Sequence, residues 1–331
     1  MSTPDLRPVL DPRTQWFLKF LKDSGRPQVF EVPLAEARLY YVRAQELFAG
    51  PLLPAHIEDR TIPVGPRGDV QLRIVRAEGS GSGQPVLMYF HGGGWVLGDG
   101  ATYDRFLREL AHGTGATVVF VEYRRSPEER FPVPLEECYA ATAWVAERGA
   151  ELGVDAARIA VAGDSAGGNM ATVVCRLAIE RNGPKIASQV LIYPATAAGF
   201  DLPSIREFAQ DHYLTLENSR WFWHQYAPDR SADSDPNACP LLTPLDQLKS
   251  LPPALVITAE CDILRDEGEA YARKLSQAGV PVTCTRYLGA IHGFMGINAL
   301  AETPTNRAAM DQVCTALKKA LFAEVRMKQH G

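Results

Sequence analysis

The sequence predicts an α/β protein in which a mostly parallel, twisted sheet carries helices on both faces. From about residue 56, short apolar runs typical of buried strands alternate with segments whose apolar residues recur at helical spacing. Residues 86–90 are apolar at every position and residues 117–121 at all but Thr117, which is typical of strands covered on both sides. With 331 residues, of which 46% are hydrophobic, the chain can bury a large core without a stabilising metal or disulfide.

The predicted elements follow one another in a regular order along the chain. Strand patterns occur at 70–76, 86–90, 117–121, 158–162, 189–193, 254–259 and 280–287. Helical spacing occurs at 34–48, 103–113, 135–148, 166–181, 267–278 and 305–325. Because helices separate most of the strands, neighbouring strands are expected to be parallel, with the helices as crossover connections.

Two segments interrupt this alternation. Residues 1–52 precede the first strand, and residues 197–250 are far too long for an ordinary connection between strands. We therefore expect four parts, which are an N-terminal part of a cap (1–52), the first part of the α/β core (53–196), a cap insertion (197–250) and the second part of the core (251–331). Within the insertion, Phe222 and Tyr226 stand four residues apart, so they either share a buried helix face or form a wall against a substrate.

The charge and cysteine patterns exclude several kinds of partner. The net charge is −5, which leaves no basic footprint for a nucleic acid. No basic run indicates a membrane surface, and no apolar run reaches the ~18 residues of a transmembrane helix. The first twenty residues are polar and lack the pattern of a signal peptide, which predicts a cytoplasmic protein. Six scattered cysteines, without a CxxC pair or a Cys/His cluster, predict reduced thiols and no metal site.

The strongest chemical signal is a G-x-S-x-G motif at residues 163–167. A strand pattern runs into it and a helix pattern follows, so Ser165 is expected on a sharp turn between the two. Flanking glycines let the strand and the helix approach closely there. The helix N-terminus carries partial positive charge, which favours a developing oxyanion. Ser165 is therefore the predicted nucleophile.

A glycine cluster, His-Gly-Gly-Gly-Trp at 91–95, follows the strand that ends at residue 90. Consecutive glycines let backbone N–H groups point into a cavity, as an oxyanion hole for acyl transfer requires. No Lys-Ser/Thr pair follows, which disfavours a nucleotide-binding loop. His91 is expected to brace this loop, and Trp95 beside it is a candidate for lining the pocket.

A general base and its orienting acid are expected in loops that follow the later strands. His292 lies in a loop after the last strand run, whereas the other histidines lie in the insertion, the tail or ordinary elements. Asp262 follows the strand 254–259 and precedes His292, in the chain order Ser–Asp–His. Glu260 is the alternative acid nearer the strand. The substrate-pocket candidates are Trp95, Asp164, His212 and Tyr213.

Taken together, the runs HGGGW, GDSAGG, AECDILRDEG and IHGF resemble the bacterial hormone-sensitive-lipase-like esterases, a branch of the α/β-hydrolases. The resemblance spans about residues 55–325. It implies an α/β-hydrolase fold with about eight strands, one early strand antiparallel, and a helical cap. It also implies Ser165 as nucleophile, His292 as base and Asp262 as acid. The oxyanion hole would be formed by the N–H groups of Gly93, Gly94 and Ala166.

One residue departs from the family pattern. Ile263 stands where the family usually has proline after the acid, which leaves the acid itself in place. The resemblance implies a carboxylic-ester hydrolase that acts through an acyl-enzyme on short to medium acyl esters, with no cofactor. It also implies a small-molecule ester as partner, and that a homodimer paired near the final strand is common.

Other functions on the same fold are alternatives. An amidase or a lactonase could use the same three residues. A non-catalytic small-molecule receptor is a further alternative, which an intact set of Ser165, Asp262 and His292 disfavours.

Overall fold

An eight-stranded sheet runs through the centre of the computed structural model, which describes residues 7–199 and 201–323. The strands are β1 (Ala55–Ile62), β2 (Val70–Ala77), β3 (Gln84–Phe90), β4 (Thr117–Glu122), β5 (Val154–Asp164), β6 (Ile186–Ile192), β7 (Ala254–Cys261) and β8 (Val282–Ile291). Their order across the sheet is β1-β2-β4-β3-β5-β6-β7-β8. Strand β2 is antiparallel to both of its neighbours, and the pairs from β4 to β8 are parallel. The predicted sheet, with one antiparallel early strand, is confirmed.

Ten α-helices and four short 3₁₀ helices connect and cover the strands in the described part of the chain. The α-helices are α1 (Pro12–Asp23), α2 (Leu34–Leu47), α3 (Asp104–Thr114), α4 (Val133–Arg148), α5 (Ala166–Glu180), α6 (Pro203–Phe208), α7 (Leu216–Tyr226), α8 (Leu245–Leu248), α9 (Arg265–Gln277) and α10 (Pro304–Leu321). The 3₁₀ helices are Gly149–Leu152, Ser231–Ser234, Pro240–Leu242 and Asn298–Leu300. Helix α3 packs against α10, and α4 packs against α5. Because every residue of β3 after Gln84 is buried, helices cover both faces of the central sheet.

The predicted elements match the observed ones to within a few residues at most ends. The predicted helix over 305–325 ends at Leu321, and its positions 324 and 325 lie outside the described residues. The same holds for residues 1–6 of the expected cap, position 200 of the insertion and residues 326–331. All six cysteines are described and none forms a disulfide, and Cys284 alone among them is exposed.

The common direction of the parallel strands decides which loops lie close together. In a parallel sheet the carboxyl ends of the strands lie at one edge, where ligands commonly bind. Strands β3, β5, β7 and β8 share this direction. The loops after these four strands therefore come together, and they carry residues 91–95, Ser165, Asp262 and His292.

The N-terminal segment (residues 7–52) and the insertion (residues 197–250) contact each other beside this edge. The ring of Phe17 lies 5.9 Å from the ring of Tyr213, measured between centroids. The amide of Asn218 donates to Gln28 Oε1 at 3.3 Å. Two segments that are distant in sequence thus pack together.

Candidate active site

Ser165 occupies a strained turn between β5 and α5. Its backbone has φ 56° and ψ −117°, which places a non-glycine residue at positive φ. The Ser165 N–H donates to the carbonyl of Ile192 at 2.8 Å, which ties the turn to β6. A Cβ on Gly167 would collide with the Phe90 carbonyl oxygen, and one on Gly163 would collide with the Gly167 backbone. Both motif glycines are therefore required by backbone contact.

The structure brings Ser165, His292 and Asp262 into one hydrogen-bonded chain. His292 Nε2 lies 3.0 Å from Ser165 Oγ, and His292 Nδ1 lies 2.7 Å from Asp262 Oδ2. Asp262 Oδ1 accepts the Leu264 N–H at 2.9 Å, which fixes the orientation of the carboxylate. The ring of Tyr193 packs edge-on against the imidazole at 4.9 Å between centroids. With Nδ1–H donated to Asp262, Nε2 is left to accept the proton of the serine hydroxyl.

Residues 91–95, which we call the oxyanion loop, lie opposite the serine. Gly93 has φ 98° and Gly94 has φ 62°, conformations that favour glycine. Both glycines line the same cavity as Ser165, His292 and Ala166, the first residue of α5. The structure thus places the three expected oxyanion donors around one cavity with the serine and the histidine.

Aromatic stacking holds the two ends of the oxyanion loop. Trp95 has φ 62°, and its ring stacks on Tyr226 at 4.2 Å with an interplanar angle of 5°. His91 stacks on Tyr123 at 4.1 Å, and its Nδ1 lies 2.8 Å from the Gly92 carbonyl oxygen. Burial lowers the pKa of His91 to about 3, so this ring is neutral and its Nδ1–H can donate to that carbonyl. These contacts fit the bracing role expected for His91.

The cavity above the serine has a volume of about 1080 Å³. Its walls come from the core, the N-terminal segment and the insertion. Among its apolar lining residues are Phe17, Leu21, Tyr41, Leu97, Tyr213, Phe222, Trp223 and Ile297. Phe222 stands so close to the oxyanion loop that a Cβ on Gly94 would collide with its ring. Phe222 therefore forms a cavity wall, whereas Tyr226 is fully buried, and the two side chains do not share one environment.

The four pocket candidates differ in their placement. Trp95 and Tyr213 line the cavity, although the Trp95 ring is committed to its stack with Tyr226. Asp164 also lines it, but both carboxylate oxygens already accept hydrogen bonds from the protein. His212 is not a lining residue, and its ring packs edge-on against Phe208 at 5.0 Å. Its neighbour Tyr213 lines the cavity.

Two residues of the site carried no sequence signal. Tyr89 lies within β3 and Tyr103 directly precedes α3, and both hydroxyl groups donate to Asp164. Each reads in the sequence as an ordinary buried aromatic residue. Only the juxtaposition of distant segments in the fold identifies them.

The described residues show neither a metal-binding cluster nor a membrane-spanning helix. No group of three His, Cys, Asp or Glu side chains in residues 7–199 and 201–323 is arranged to hold a metal ion. No helix in the same ranges combines the length and the hydropathy that a membrane span needs.

Comparison with known proteins gives consistent matches over nearly the whole chain. A family model described as alpha/beta hydrolase fold matches residues 87–296. The carboxylesterase NlhH of Mycobacterium tuberculosis is 37% identical over 326 residues, which cover 98% of each chain. An ethyl acetate hydrolase of Pseudomonas putida is 35% identical over 302 residues, covering 88% of this chain and 94% of that protein.

Solved structures agree with these matches. The crystal structure of a thermostable esterase from Pseudomonas putida superposes with a TM-score of 0.93 at 45% identity, covering 95% of this chain and 98% of that one. The chain therefore belongs to the α/β-hydrolase family, in the hormone-sensitive-lipase-like branch that its motifs resemble.

Proposed function

Because the chain belongs to this family, we propose that it is a carboxylesterase in which Ser165, His292 and Asp262 act as nucleophile, base and orienting acid. The observation that carries the proposal is the unbroken hydrogen-bonded chain from Asp262 Oδ2 through His292 to Ser165 Oγ, at the floor of a large cavity. Relatives that match nearly the whole chain are named as esterases, which supports the same activity. A small-molecule carboxylic ester is the proposed substrate.

The first half of the reaction forms an acyl-enzyme. His292 Nε2 takes the proton of Ser165 as Oγ bonds to the ester carbonyl carbon, and the carbonyl π electrons move to its oxygen. The resulting oxyanion accepts hydrogen bonds from the N–H groups of Gly93, Gly94 and Ala166. The oxyanion then collapses, the bond to the alcohol oxygen breaks, and His292 gives its proton to that oxygen.

The second half repeats these steps with water. His292 takes a proton from water as the water oxygen bonds to the acyl carbon. The second oxyanion collapses, the acyl–Oγ bond breaks, and the proton returns to Ser165. Throughout, Asp262 holds the imidazole in the tautomer with Nδ1 protonated and stabilises the imidazolium that forms.

The cavity walls support a preference for short to medium acyl chains. Phe222 of the insertion lines the cavity beside Gly94, Tyr213 lines it beside Gly293, and Phe17 of the N-terminal segment packs against Tyr213. Each methylene buried on these walls contributes about 0.8 kcal/mol until the chain meets the end of the cavity. We therefore propose that kcat/KM rises and then falls with acyl length, with a maximum at roughly four to eight carbons.

The proposed function is tested with a series of p-nitrophenyl esters of rising acyl length, with the matching p-nitroanilide as the amide control. The wild-type enzyme should hydrolyse the esters, and Ser165→Ala should lose activity by many orders of magnitude with an unchanged melting temperature. A fluorophosphonate should label Ser165, as shown by peptide mass spectrometry. Activity retained in Ser165→Ala, or labelling at another serine, would falsify the assignment. A rate that rises monotonically to long-chain esters would overturn the chain-length proposal alone.

A homodimer is proposed on separate grounds. Strand β8 is the last strand of the sheet, and its outer edge has no partner strand in the described part of the chain. Such an edge presents unpaired N–H and C=O groups that a second copy can satisfy. Light scattering coupled to size-exclusion chromatography tests this, and a mass of one chain at micromolar concentration would contradict it.

A further inference from the structure

Asp164 is a buried carboxylate beside the nucleophile that the proposed reaction does not use. It is 4% exposed, and the groups that donate to it are two tyrosine hydroxyls and one backbone N–H. Its Oδ1 accepts the Tyr89 hydroxyl at 2.8 Å and the Gly92 N–H at 2.9 Å. Its Oδ2 accepts the Tyr103 hydroxyl at 2.9 Å. Burying a carboxylate is costly unless donors surround it, and these three hydrogen bonds offset that cost.

The carboxylate links the two backbone segments that form the oxyanion hole. Asp164 is the last residue of β5 and directly precedes Ser165, whereas Gly92 directly precedes Gly93 in the oxyanion loop. The Gly92 N–H has a second acceptor, the Tyr103 hydroxyl, at 3.0 Å. A Cβ on Gly92 would collide with Asp164 Oδ2, so the loop touches the carboxylate directly.

The oxyanion loop needs such a restraint because of its composition. Three successive glycines, of which Gly93 and Gly94 have positive φ, can adopt many backbone conformations. Oxyanion donors contribute most when they are already oriented before charge develops on the substrate. A hydrogen bond to the N–H of Gly92 fixes the orientation of the peptide that leads into both donors.

We propose that Asp164 is a positioning residue that holds Gly92 and thereby directs the N–H groups of Gly93 and Gly94 at the substrate carbonyl oxygen. This inference rests on the proposed esterase function and adds a residue to it. The role requires an acceptor oxygen at Oδ1 rather than a net charge. Asparagine can therefore replace Asp164, because its amide oxygen can accept from Gly92 in the same place.

Electrostatics agrees with a role that does not depend on full charge. Burial raises the pKa of Asp164, and the hydrogen bonds from Tyr89, Tyr103 and Gly92 act in the opposite direction. The donors thus keep the acceptor oxygens in place at the wall of the cavity.

The test compares Asp164→Leu, which replaces both acceptor oxygens by methyl groups with the same branching, with Asp164→Asn, which keeps one oxygen. With p-nitrophenyl butyrate, Asp164→Leu should lose about 10²–10³ in kcat with KM within about threefold, as expected when oxyanion donors are misplaced. Asp164→Asn should keep kcat within about tenfold of wild type. A near-normal kcat in Asp164→Leu would overturn the proposal. An Asp164→Asn variant as inactive as Asp164→Leu would also overturn it.

A matched control is available in the same protein. Glu122 also accepts a glycine N–H, that of Gly100 at 2.6 Å, but neither residue lines the cavity. Glu122→Leu should leave kcat within about threefold of wild type. If Glu122→Leu loses as much kcat as Asp164→Leu, then removing any carboxylate that accepts a glycine N–H has the same effect. The proposed positioning role of Asp164 would then be wrong.

A transition-state analogue separates positioning from general damage. A trifluoromethyl ketone forms a hemiketal oxyanion on Ser165, so its affinity should fall in Asp164→Leu by about the same factor as kcat/KM. The affinity of a butyl ether that binds without reacting should be unchanged, whereas structural damage would weaken both. If Asp164→Leu does not fold, Tyr103→Phe, which removes the second acceptor of Gly92, should lower kcat by about tenfold at constant KM, and an unchanged kcat would overturn the proposal. If the wild-type protein shows no Ser165-dependent hydrolysis, the proposed esterase function is wrong. If the wild-type protein hydrolyses the ester and Asp164→Leu is equally active, only the proposed role of Asp164 is wrong.

Discussion

Glu267 is a buried glutamate whose protonation should make the free energy of unfolding depend on pH. It lies in the first turn of α9, is 1% exposed and is close enough to Asp262 to interact with it electrostatically. Its Oε1 accepts the N–H of Thr196 at 2.6 Å and that of Ala197 at 3.2 Å, where the insertion leaves the sheet. Burial raises the pKa of Glu267 to about 8, against its usual 4.5, although these two hydrogen bonds oppose the rise.

The sign of the pH effect follows from proton counting. Between pH 4.5 and 8 the folded chain keeps the Glu267 proton, whereas the unfolded chain has lost it. The folded state therefore binds one more proton, and the free energy of unfolding falls as pH rises through this window. The full effect is on the order of 5 kcal/mol, and the stabilisation is complete below pH 4.5.

Glu267→Gln removes this dependence, because the amide keeps the acceptor oxygen and cannot ionise. The difference in free energy of unfolding, Glu267→Gln minus wild type, should therefore increase by several kcal/mol as pH rises from 4.5 to 8. Urea unfolding at pH 5, 6, 7 and 8, followed by tryptophan fluorescence, measures the difference. A difference that stays constant over this range would show that Glu267 is ionised in the folded protein, and would refute the reasoning.

Three further outcomes are expected. Asp262→Asn should lower kcat by about 10⁴, whereas Glu260→Gln should stay within about threefold, since a glutamine oxygen can accept the same backbone N–H; the reverse order in steady-state kinetics would show that the wrong acid was chosen. Gly94→Ala should lower kcat by at least about tenfold, because the new Cβ collides with Phe222. The second substitution Phe222→Ala should restore part of the activity. If it restores none, the loss comes from the positive φ of residue 94 and not from the collision. Deletion of residues 1–40 should lower activity and shift the acyl-length profile, and an unchanged profile with the same ester series would remove the N-terminal segment from the cavity wall.

Much of the core was predictable because its signals are local. Strand β4 is apolar at four successive positions, 118–121. A short apolar run of this kind between helical segments is typical of a buried strand. Ser165, Asp262 and His292 each follow a strand run directly, and parallel strands deliver such positions to one edge of the sheet. Their convergence in space thus follows from the topology once the strand order is known.

The elements that were missed have weaker or nonlocal signals. Strand β1 lies at the sheet edge with a mixed burial pattern, so it lacks the alternation that marks a half-buried strand. Helix α1 begins at Pro12 after the cap residue Asp11, a start signal that the proline-rich surroundings obscured. The hydrogen bond from Gly92 to Asp164 joins residues 72 positions apart, and no local pattern encodes it.

The N-terminal segment does more in this structure than cover the cavity. Arg38 of α2 donates from Nε to the carbonyl of Val96 at 2.9 Å and from Nη2 to the carbonyl of Ser126 at 3.1 Å. Val96 directly follows the oxyanion loop, and the Ser126 N–H itself donates to the Trp95 carbonyl at 2.8 Å. The guanidinium therefore holds one end of the oxyanion loop while Asp164 holds the other. In the proposed function, the cavity wall that selects the substrate and the loop that stabilises the transition state depend on the same packing, so changes in α2 should alter kcat as well as substrate preference.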